Sequence, residues 1–473
     1  MVKNVLRKFF FTGIGLVLIG LSRFAFNELS QLQFGLEQTG RLNLALSLAI
    51  LLSMPAVASF VPAMLRFVAK ARGEGNYDQA HSVMRRLGQF TVGTLIVIAG
   101  FMIFFRAEIG QSRGIESQLV YYSAAILLAG GSYQFVRNLC YAMDRVSRYS
   151  LFELYAGLGF TVTLFVLIIL EAKDHLLLAF IVSHLIFVIV GLREFAGDSS
   201  KDASSNIPYR PILAFSFWAF LGTSASWGLR ELSIVITADF ADLEGVAHMG
   251  WCVAFLTPMQ FLPRVIRTVI FADTAEKSGR GEDEQAALAV SETSHWIASL
   301  NLPVCGVLIL LASEILSALT QSSRPEFVLV LRLMIVAIAF DTLSTSASSA
   351  ISGAGKIKLN MFMSLLGLGA AMTVWFVLGT DSGVQGVAYG LLSASVVRGS
   401  GLIIVAKLTF DVSLTRRPVM LCALIFALLL CCFALSFGLK VWLVAGLYAL
   451  ITLGLLFPET KALIMRFRSQ NRI

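Results

Sequence analysis

The sequence has few charged residues and no long polar stretch. Only 14% of its 473 residues are charged, whereas 57% are hydrophobic. A soluble globular chain carries roughly 25% charged residues, so this composition excludes an ordinary soluble protein. Its six cysteines all lie inside apolar runs without metal-ligand spacing, so neither a disulfide framework nor a zinc site is indicated. The chain also lacks a nucleotide-binding motif, so it shows no means of using ATP directly.

Long hydrophobic runs recur from one end of the chain to the other. A membrane-spanning helix needs about 20 consecutive apolar residues. We therefore predict an all-α integral membrane protein with about fourteen transmembrane helices. The predicted spans are 9–29, 42–65, 87–105, 119–143, 149–170, 176–192, 212–235, 246–270, 297–315, 327–351, 359–378, 384–406, 419–437 and 441–457.

Lys and Arg are concentrated in alternating loops between these spans. Basic residues gather in the N-terminal stretch, in the loops after the second and eighth spans, and in the C-terminal tail. Because basic loops stay in the cytoplasm, we expect both termini on the cytoplasmic side of the membrane. Basic cytoplasmic loops also account for the net charge of +8, so no nucleic-acid partner is needed to explain it.

A short motif occurs twice on the predicted cytoplasmic side. Residues 73–80 and 279–286 both read G-x-G-x-x-(D/E)-Q-A, and each follows a helix that contains two prolines. The spacing predicts two parallel six-helix repeats that form lobes around a central cavity. We predict an N-terminal lobe (1–195), a cytoplasmic linker (196–210), a C-terminal lobe (211–410), and a final helix pair with a basic tail (411–473). Chance similarity between helical hairpins is the alternative explanation.

This motif, together with Pro62 and Arg66 before it and the basic turn at Arg145 and Arg148, resembles the polysaccharide (O-antigen) flippase branch of the multidrug/oligosaccharidyl-lipid/polysaccharide exporter superfamily. The resemblance covers roughly residues 5 to 410. It implies a monomeric transporter in the bacterial cytoplasmic membrane, acting beside polysaccharide polymerases and glycosyltransferases. Its cargo would be a polyprenyl-pyrophosphate-linked oligosaccharide, moved from the inner to the outer leaflet by alternating access. A lipid II flippase or a cation-coupled multidrug exporter of the same superfamily remains the alternative.

Four arginines inside the predicted spans are candidate substrate-binding residues. Charged side chains in a bilayer are costly, so they mark the protein interior or a wet cavity. Guanidinium groups match phosphate oxygens, and Arg23 and Arg230 occupy corresponding depths in the first and seventh spans. The other two are Arg137 and Arg398. Alternatively, Arg23 pairs with Glu28 or extends to the interface, and Arg230 pairs with a carboxylate on another helix.

Asp341 lies mid-span before a hydroxyl-rich run, where it could carry a coupling proton or sodium ion. It could equally be an ion-pair partner of Arg332, Arg398 or Arg137. No cofactor is predicted. A membrane enzyme such as a glycan polymerase is the less favoured class, because we find no cluster of paired carboxylates or metal ligands in the sequence.

Overall fold

A computed structural model describes residues 2–73, 75–143, 145–196, 209–260, 301–320, 325–353 and 356–410, together with residues 441, 445 and 448. Within these ranges the regular structure is helical. We number the helices in chain order as α1 (Val2–Gly73), α2 (Tyr77–Phe104), α3 (Arg106–Arg113), α4 (Ser117–Ala142), α5 (Val146–Ile169), α6 (Leu178–Ala196), α7 (Tyr209–Phe240), α8 (Leu243–Leu256), α9 (Asn301–Leu310), α10 (Ala312–Thr320), α11 (Pro325–Leu343), α12 (Thr345–Gly353) and α13 (Ile357–Phe410).

Helix α1 reverses direction at Gly35. This residue has φ 84° and ψ 173°, outside the helical region and accessible chiefly to glycine. The amide nitrogen of Asn43 lies 2.5 Å from the amide oxygen of Asn27. In a straight helix these residues would stand about 24 Å apart. The helix is therefore a hairpin of two limbs, 2–34 and 36–73, and each limb contains one of the first two predicted spans.

Helix α13 reverses in the same way at Gly383, which has φ 51° and ψ −127°. The indole nitrogen of Trp375 donates a hydrogen bond to the carbonyl oxygen of Val387 across the reversal, over 2.9 Å. The two limbs, 357–382 and 384–410, match the predicted spans 359–378 and 384–406.

By length and composition, eight of the described helices are able to cross a membrane, or nine if the bent pair α9 and α10 forms one span. The two hairpins α1 and α13 each count once in that number. The prediction of an all-helical membrane protein is confirmed. The total of fourteen stays a prediction, because span 419–437 and parts of spans 246–270, 297–315 and 441–457 lie outside the described residues, as does the motif at 279–286.

Contacts divide the chain into two compact units. One unit comprises Met1–Phe261 and Ile357–Ala394, and the other comprises Leu262–Lys356 and Ser395–Ile473. In the first unit, α1 packs against α2, α4, α5, α7 and α8. Its second limb contributes Val57 and Met64 to an apolar core shared with Leu139 of α4 and Phe187 of α6. Helix α1 thereby supplies the framework for the polar residues described next. The predicted lobe boundaries remain a prediction.

Candidate functional site

A buried ion pair joins both limbs of α1 to α7. The guanidinium of Arg23 donates to both carboxylate oxygens of Glu231, over 2.8 and 3.1 Å. The hydroxyl of Ser47, on the second limb, donates to the same carboxylate over 2.8 Å. The side chains of Arg23 and Glu231 are only 15% and 10% exposed. Three charge-assisted hydrogen bonds hold this carboxylate in place.

Glu28 is not the partner of Arg23, so the sequence alternative that paired these two residues is wrong. The carboxylate of Glu28 instead accepts a hydrogen bond from the indole nitrogen of Trp251 on α8. The ring of Trp251 is buried and stacks on Phe255 with centroids 5.1 Å apart. Glu28 lies five residues after Arg23 and therefore on another face of the first limb of α1. The carboxylates of Glu28 and Glu231 accordingly have different partners.

Arg230 lies beside this ion pair, and its positive charge also acts on the carboxylate of Glu231. Adjacent residues on a helix point in directions about 100° apart, so only Glu231 faces Arg23 directly. The positive charges of Arg23 and Arg230 thus both act on this carboxylate. Comparing equivalent positions in the first and seventh predicted spans singled out Arg23 and Arg230. It did not identify Glu231 as the partner of Arg23.

Amide and hydroxyl groups extend the polar interior along the α1 hairpin. The side-chain amide of Asn27 donates to the carbonyl oxygen of Arg23 over 2.9 Å and accepts from Asn43. Further towards the reversal, the hydroxyl of Thr39 donates to that of Ser30 over 3.1 Å. These side chains are buried. Such hydrogen bonds fix the limbs against each other and thereby hold Arg23 and Ser47 in the positions that reach Glu231.

Arg137, on α4, has no carboxylate within ion-pair distance among the described residues. Its guanidinium lies over two tyrosine rings instead, 6.0 Å from the centroid of Tyr133 and 5.6 Å from that of Tyr149. Aromatic rings attract a cation without neutralising its charge. Of the predicted binding arginines, Arg137 therefore contacts no carboxylate among the described residues, although the charge of Glu153 on α5 acts on it from beyond ion-pair distance.

Asp341 and Arg398 form an ion pair in the second unit, with Nη2 of the arginine 3.2 Å from Oδ1 of the aspartate. The ion-pair alternative for Asp341 is thus confirmed, with Arg398 as the partner. Arg332 instead donates from Nε to the carbonyl oxygen of Ile309 over 3.1 Å. The hydroxyls of Ser344 and Thr345 donate to the backbone carbonyl oxygen of Asp341. Ion coupling at Asp341 remains a prediction.

Two further observations bear on the chemistry of the site. Over the described ranges, no group of three or more His, Cys, Asp or Glu side chains is arranged to hold a metal ion. At the far end of α7, Arg113 of α3 pairs with Asp239 over 2.7 Å, and the two side chains are 30% and 49% exposed. This exposed pair differs from the buried Arg23–Glu231 pair chiefly in its access to solvent.

Comparisons with known proteins identify the fold. No family profile and no curated protein sequence matches this chain. Among solved structures, a mutant of the Vibrio cholerae MATE transporter VcmN has a TM-score of 0.68 and 12% identity, and the match covers 86% of this chain and 97% of that one. Lipid II flippase MurJ in an inward closed conformation has a TM-score of 0.67 and 14% identity, over 97% and 100% of the two chains. A MOP superfamily transporter from Pyrococcus furiosus has a TM-score of 0.66 and 15% identity, over 86% and 96%. The chain therefore has the fold shared by MATE transporters and the lipid II flippase MurJ.

Proposed function

We propose that this chain is a flippase that moves a polyprenyl-pyrophosphate-linked oligosaccharide from the inner to the outer leaflet of the cytoplasmic membrane. Its basic loops would face the cytoplasm, and transport would proceed by alternating access. The fold shared with MATE transporters and MurJ supports a transporter. The observation that carries the choice of cargo is the position of Arg137, whose guanidinium lies over two tyrosine rings within the helix bundle and contacts no carboxylate among the described residues.

The sign of this charge favours an anionic head group. Each charged side chain in a membrane helix costs about 2.5–3.5 kcal/mol on insertion scales, so a buried guanidinium that no carboxylate contacts is expensive to keep. Pyrophosphate offers pairs of phosphate oxygens that can accept two parallel hydrogen bonds from a planar guanidinium such as that of Arg137. The polyprenyl chain can stay in the bilayer while the head group crosses. A transporter of organic cations would need the opposite charge at these positions.

A lipid II flippase is the second candidate, because the similarity to MurJ extends over nearly the whole chain. The cation-coupled multidrug exporter is the third, and it is distinguished from the other two by the charge of its cargo. Only the flippase of polyprenyl-pyrophosphate-linked oligosaccharides would work with a polysaccharide polymerase or glycosyltransferases.

A flipping assay in proteoliposomes tests the proposal. Three fluorescent cargoes are compared: a polyprenyl-pyrophosphate oligosaccharide, lipid II and a lipophilic cation. Movement is read from the fraction that a membrane-impermeant quencher reaches. We expect the protein to move the first cargo, and the variants Arg137→Gln and Arg230→Gln to slow this movement at least about tenfold, equivalent to about 1.4 kcal/mol.

Arg106→Gln is the matched control. Arg106 also lies over a tyrosine ring, 5.6 Å from the centroid of Tyr121, but it is exposed at the start of α3. This variant should flip the cargo at the wild-type rate. Selective movement of lipid II would establish the second candidate. Movement of the cation alone, or an unchanged rate in the double variant of Arg137 and Arg230, would refute an anionic cargo.

A further inference from the structure

Two cations near the predicted cytoplasmic ends of helices lie over aromatic rings. The guanidinium carbon of Arg66, in the second limb of α1, is 4.9 Å from the ring centroid of Phe215 and 5.9 Å from that of Phe67. The ammonium nitrogen of Lys358, in the first turn of α13, is 5.2 Å from the ring centroid of Trp218. Within the described part of the chain, neither side chain has a carboxylate within ion-pair distance or an acceptor for its N–H groups. Each cation therefore keeps its charge and its hydrogen-bond donors available.

A third cation on the same predicted side shows that a ring contact does not prevent ion pairing. The guanidinium of Arg145 lies over the ring of Phe195, 5.1 Å from its centroid. Its Nη1 is also 3.3 Å from the carboxylate of Glu194. Arg66 and Lys358 have the ring contact without the carboxylate, so their charges are left for a group from outside the chain.

Both cations reach one stretch of α7. Phe215 and Trp218 are three residues apart, so their side chains are neighbours on the helix surface. Arg66 reaches this stretch from α1, and Lys358 reaches it from the first limb of α13. An anion bound at this stretch would therefore meet a positive charge from each of two helices.

Exposed apolar side chains continue from this stretch along α7 and the first limb of α13. The two helices are neighbours there, because a Cβ atom on Gly222 would lie 3.1 Å from the Cα atom of Met361. The exposed side chains recur every three or four residues, which places them in a stripe on each helix. The two stripes consist of Tyr209, Leu213 and Phe217 on α7 and of Leu359, Phe362 and Leu366 on α13.

The two cations lie at the level of the lipid head groups. The predicted spans here are 42–65 and 359–378. Arg66 is the first residue after one of them, and Lys358 is the last residue before the other. The polar head groups of a bilayer begin where its hydrocarbon core ends. Arg66 and Lys358 are therefore placed to meet phosphate groups, while the two apolar stripes are placed to meet acyl chains.

The chemistry of the two side chains favours a phosphate with a net negative charge. A guanidinium donates two parallel hydrogen bonds to phosphate oxygens, and an ammonium group acts as a point charge beside them. The aromatic rings attract the cations without neutralising them. They also hold the side chains in place, which lowers the entropy lost on binding. A zwitterionic lipid carries its own cation beside its phosphate and gains less from such a site.

We propose that Arg66 and Lys358 bind the phosphate of an anionic phospholipid of the cytoplasmic leaflet. The rings of Phe215 and Trp218 position the two cations, and the acyl chains lie along the stripes on α7 and α13. Basic side chains between membrane helices are suited to such head groups. This lipid stays at the membrane boundary and is distinct from the transported cargo. The site does not rest on the proposed function, because lipid binding is measured without transport.

Native mass spectrometry of the purified full chain tests the site. The protein is titrated with phosphatidylglycerol and, separately, with phosphatidylcholine that has the same acyl chains. We expect the wild type to bind phosphatidylglycerol more tightly. The variants Arg66→Gln and Lys358→Gln should each weaken this binding about fivefold, and the double variant about thirtyfold. Binding of phosphatidylcholine should stay within about twofold in all of them. Lys358→Arg keeps the charge and should bind phosphatidylglycerol nearly as the wild type does.

Arg85→Gln and Lys356→Gln are the matched controls, because both residues are exposed and basic on the same predicted side. Each should bind phosphatidylglycerol within about twofold of the wild type. Equal losses in the controls and in the double variant would reveal attraction to general surface charge and overturn the site. Wild-type affinity in the double variant would overturn it too. Displacement of phosphatidylglycerol by about 10 mM inorganic phosphate would make it a site for free phosphate. Polyprenyl pyrophosphate that binds the wild type but not the double variant, while phosphatidylglycerol binds both equally, would assign the site to the cargo instead.

Discussion

Removing the charge of Glu231 should destabilise the protein far more than removing an exposed charge. The substitution Glu231→Met leaves Arg23 buried without its bidentate partner, and it removes the acceptor of Ser47. Breaking a buried ion pair from one side costs about 3–5 kcal/mol. Ser47→Ala removes one donor alone and should cost about 1 kcal/mol. The exposed pair at Asp239 provides the comparison, because Arg113→Met should cost less than about 1 kcal/mol.

Reversible unfolding in mixed detergent micelles measures these differences in the free energy of unfolding. The double variant Arg23→Met/Glu231→Met should be more stable than Glu231→Met alone, since replacing both members of a buried pair by apolar side chains removes the uncompensated charge. The reasoning would be refuted if Glu231→Met cost no more than Arg113→Met, or if the effects of Arg23→Met and Glu231→Met simply added.

Two further substitutions test close packing and the second hairpin. A Cβ atom on Gly40 would lie 2.0 Å from the carbonyl oxygen of Leu243, so Gly40→Ala should force the second limb of α1 away from α8 and cost about 1–3 kcal/mol. In the same unfolding measurement, Gly93→Ala on α2 meets open space and should be neutral or stabilising. Trp375→Phe removes the hydrogen bond to the carbonyl oxygen of Val387 and should lower the free energy of unfolding by about 1 kcal/mol. An unchanged stability in Gly40→Ala or Trp375→Phe would contradict the corresponding contact.

Hydropathy located the described spans because the bilayer selects apolar segments of fixed length. It could not locate the helix ends. The first limb of α1 extends past the predicted boundary at residue 29 to the reversal at Gly35, through Gln31 and Gln33, and the second limb includes Gln38 before the predicted start at residue 42. A helix continues wherever its backbone hydrogen bonds continue, and water outside the bilayer tolerates polar side chains there. Hydropathy therefore predicts which residues lie inside the bilayer rather than where each helix begins and ends.

The partner of Arg23 could not be predicted from the sequence, for a different reason. The predicted repeat placed Arg23 and Arg230 at corresponding depths, but depth does not fix the rotation of a helix about its axis. A rotation of about 100° decides whether Arg230 or Glu231 faces the first limb. That rotation is set by contacts of α7 with α1 and α8. The position of Arg137 over two tyrosine rings is likewise visible only once the tyrosines of α4 and α5 are placed together.

The separation of Arg23 from Glu231 has a consequence for biogenesis. The two residues are 208 positions apart in the chain. A ribosome adding about 5–20 residues per second needs about 10–40 s to synthesise the intervening segment. During that interval the nascent first hairpin holds a positive charge whose permanent counterion does not yet exist. The first hairpin therefore cannot reach its final packing until α7 has been synthesised. Synthesis of α7 thus sets the earliest time at which the N-terminal part of the protein can finish assembling.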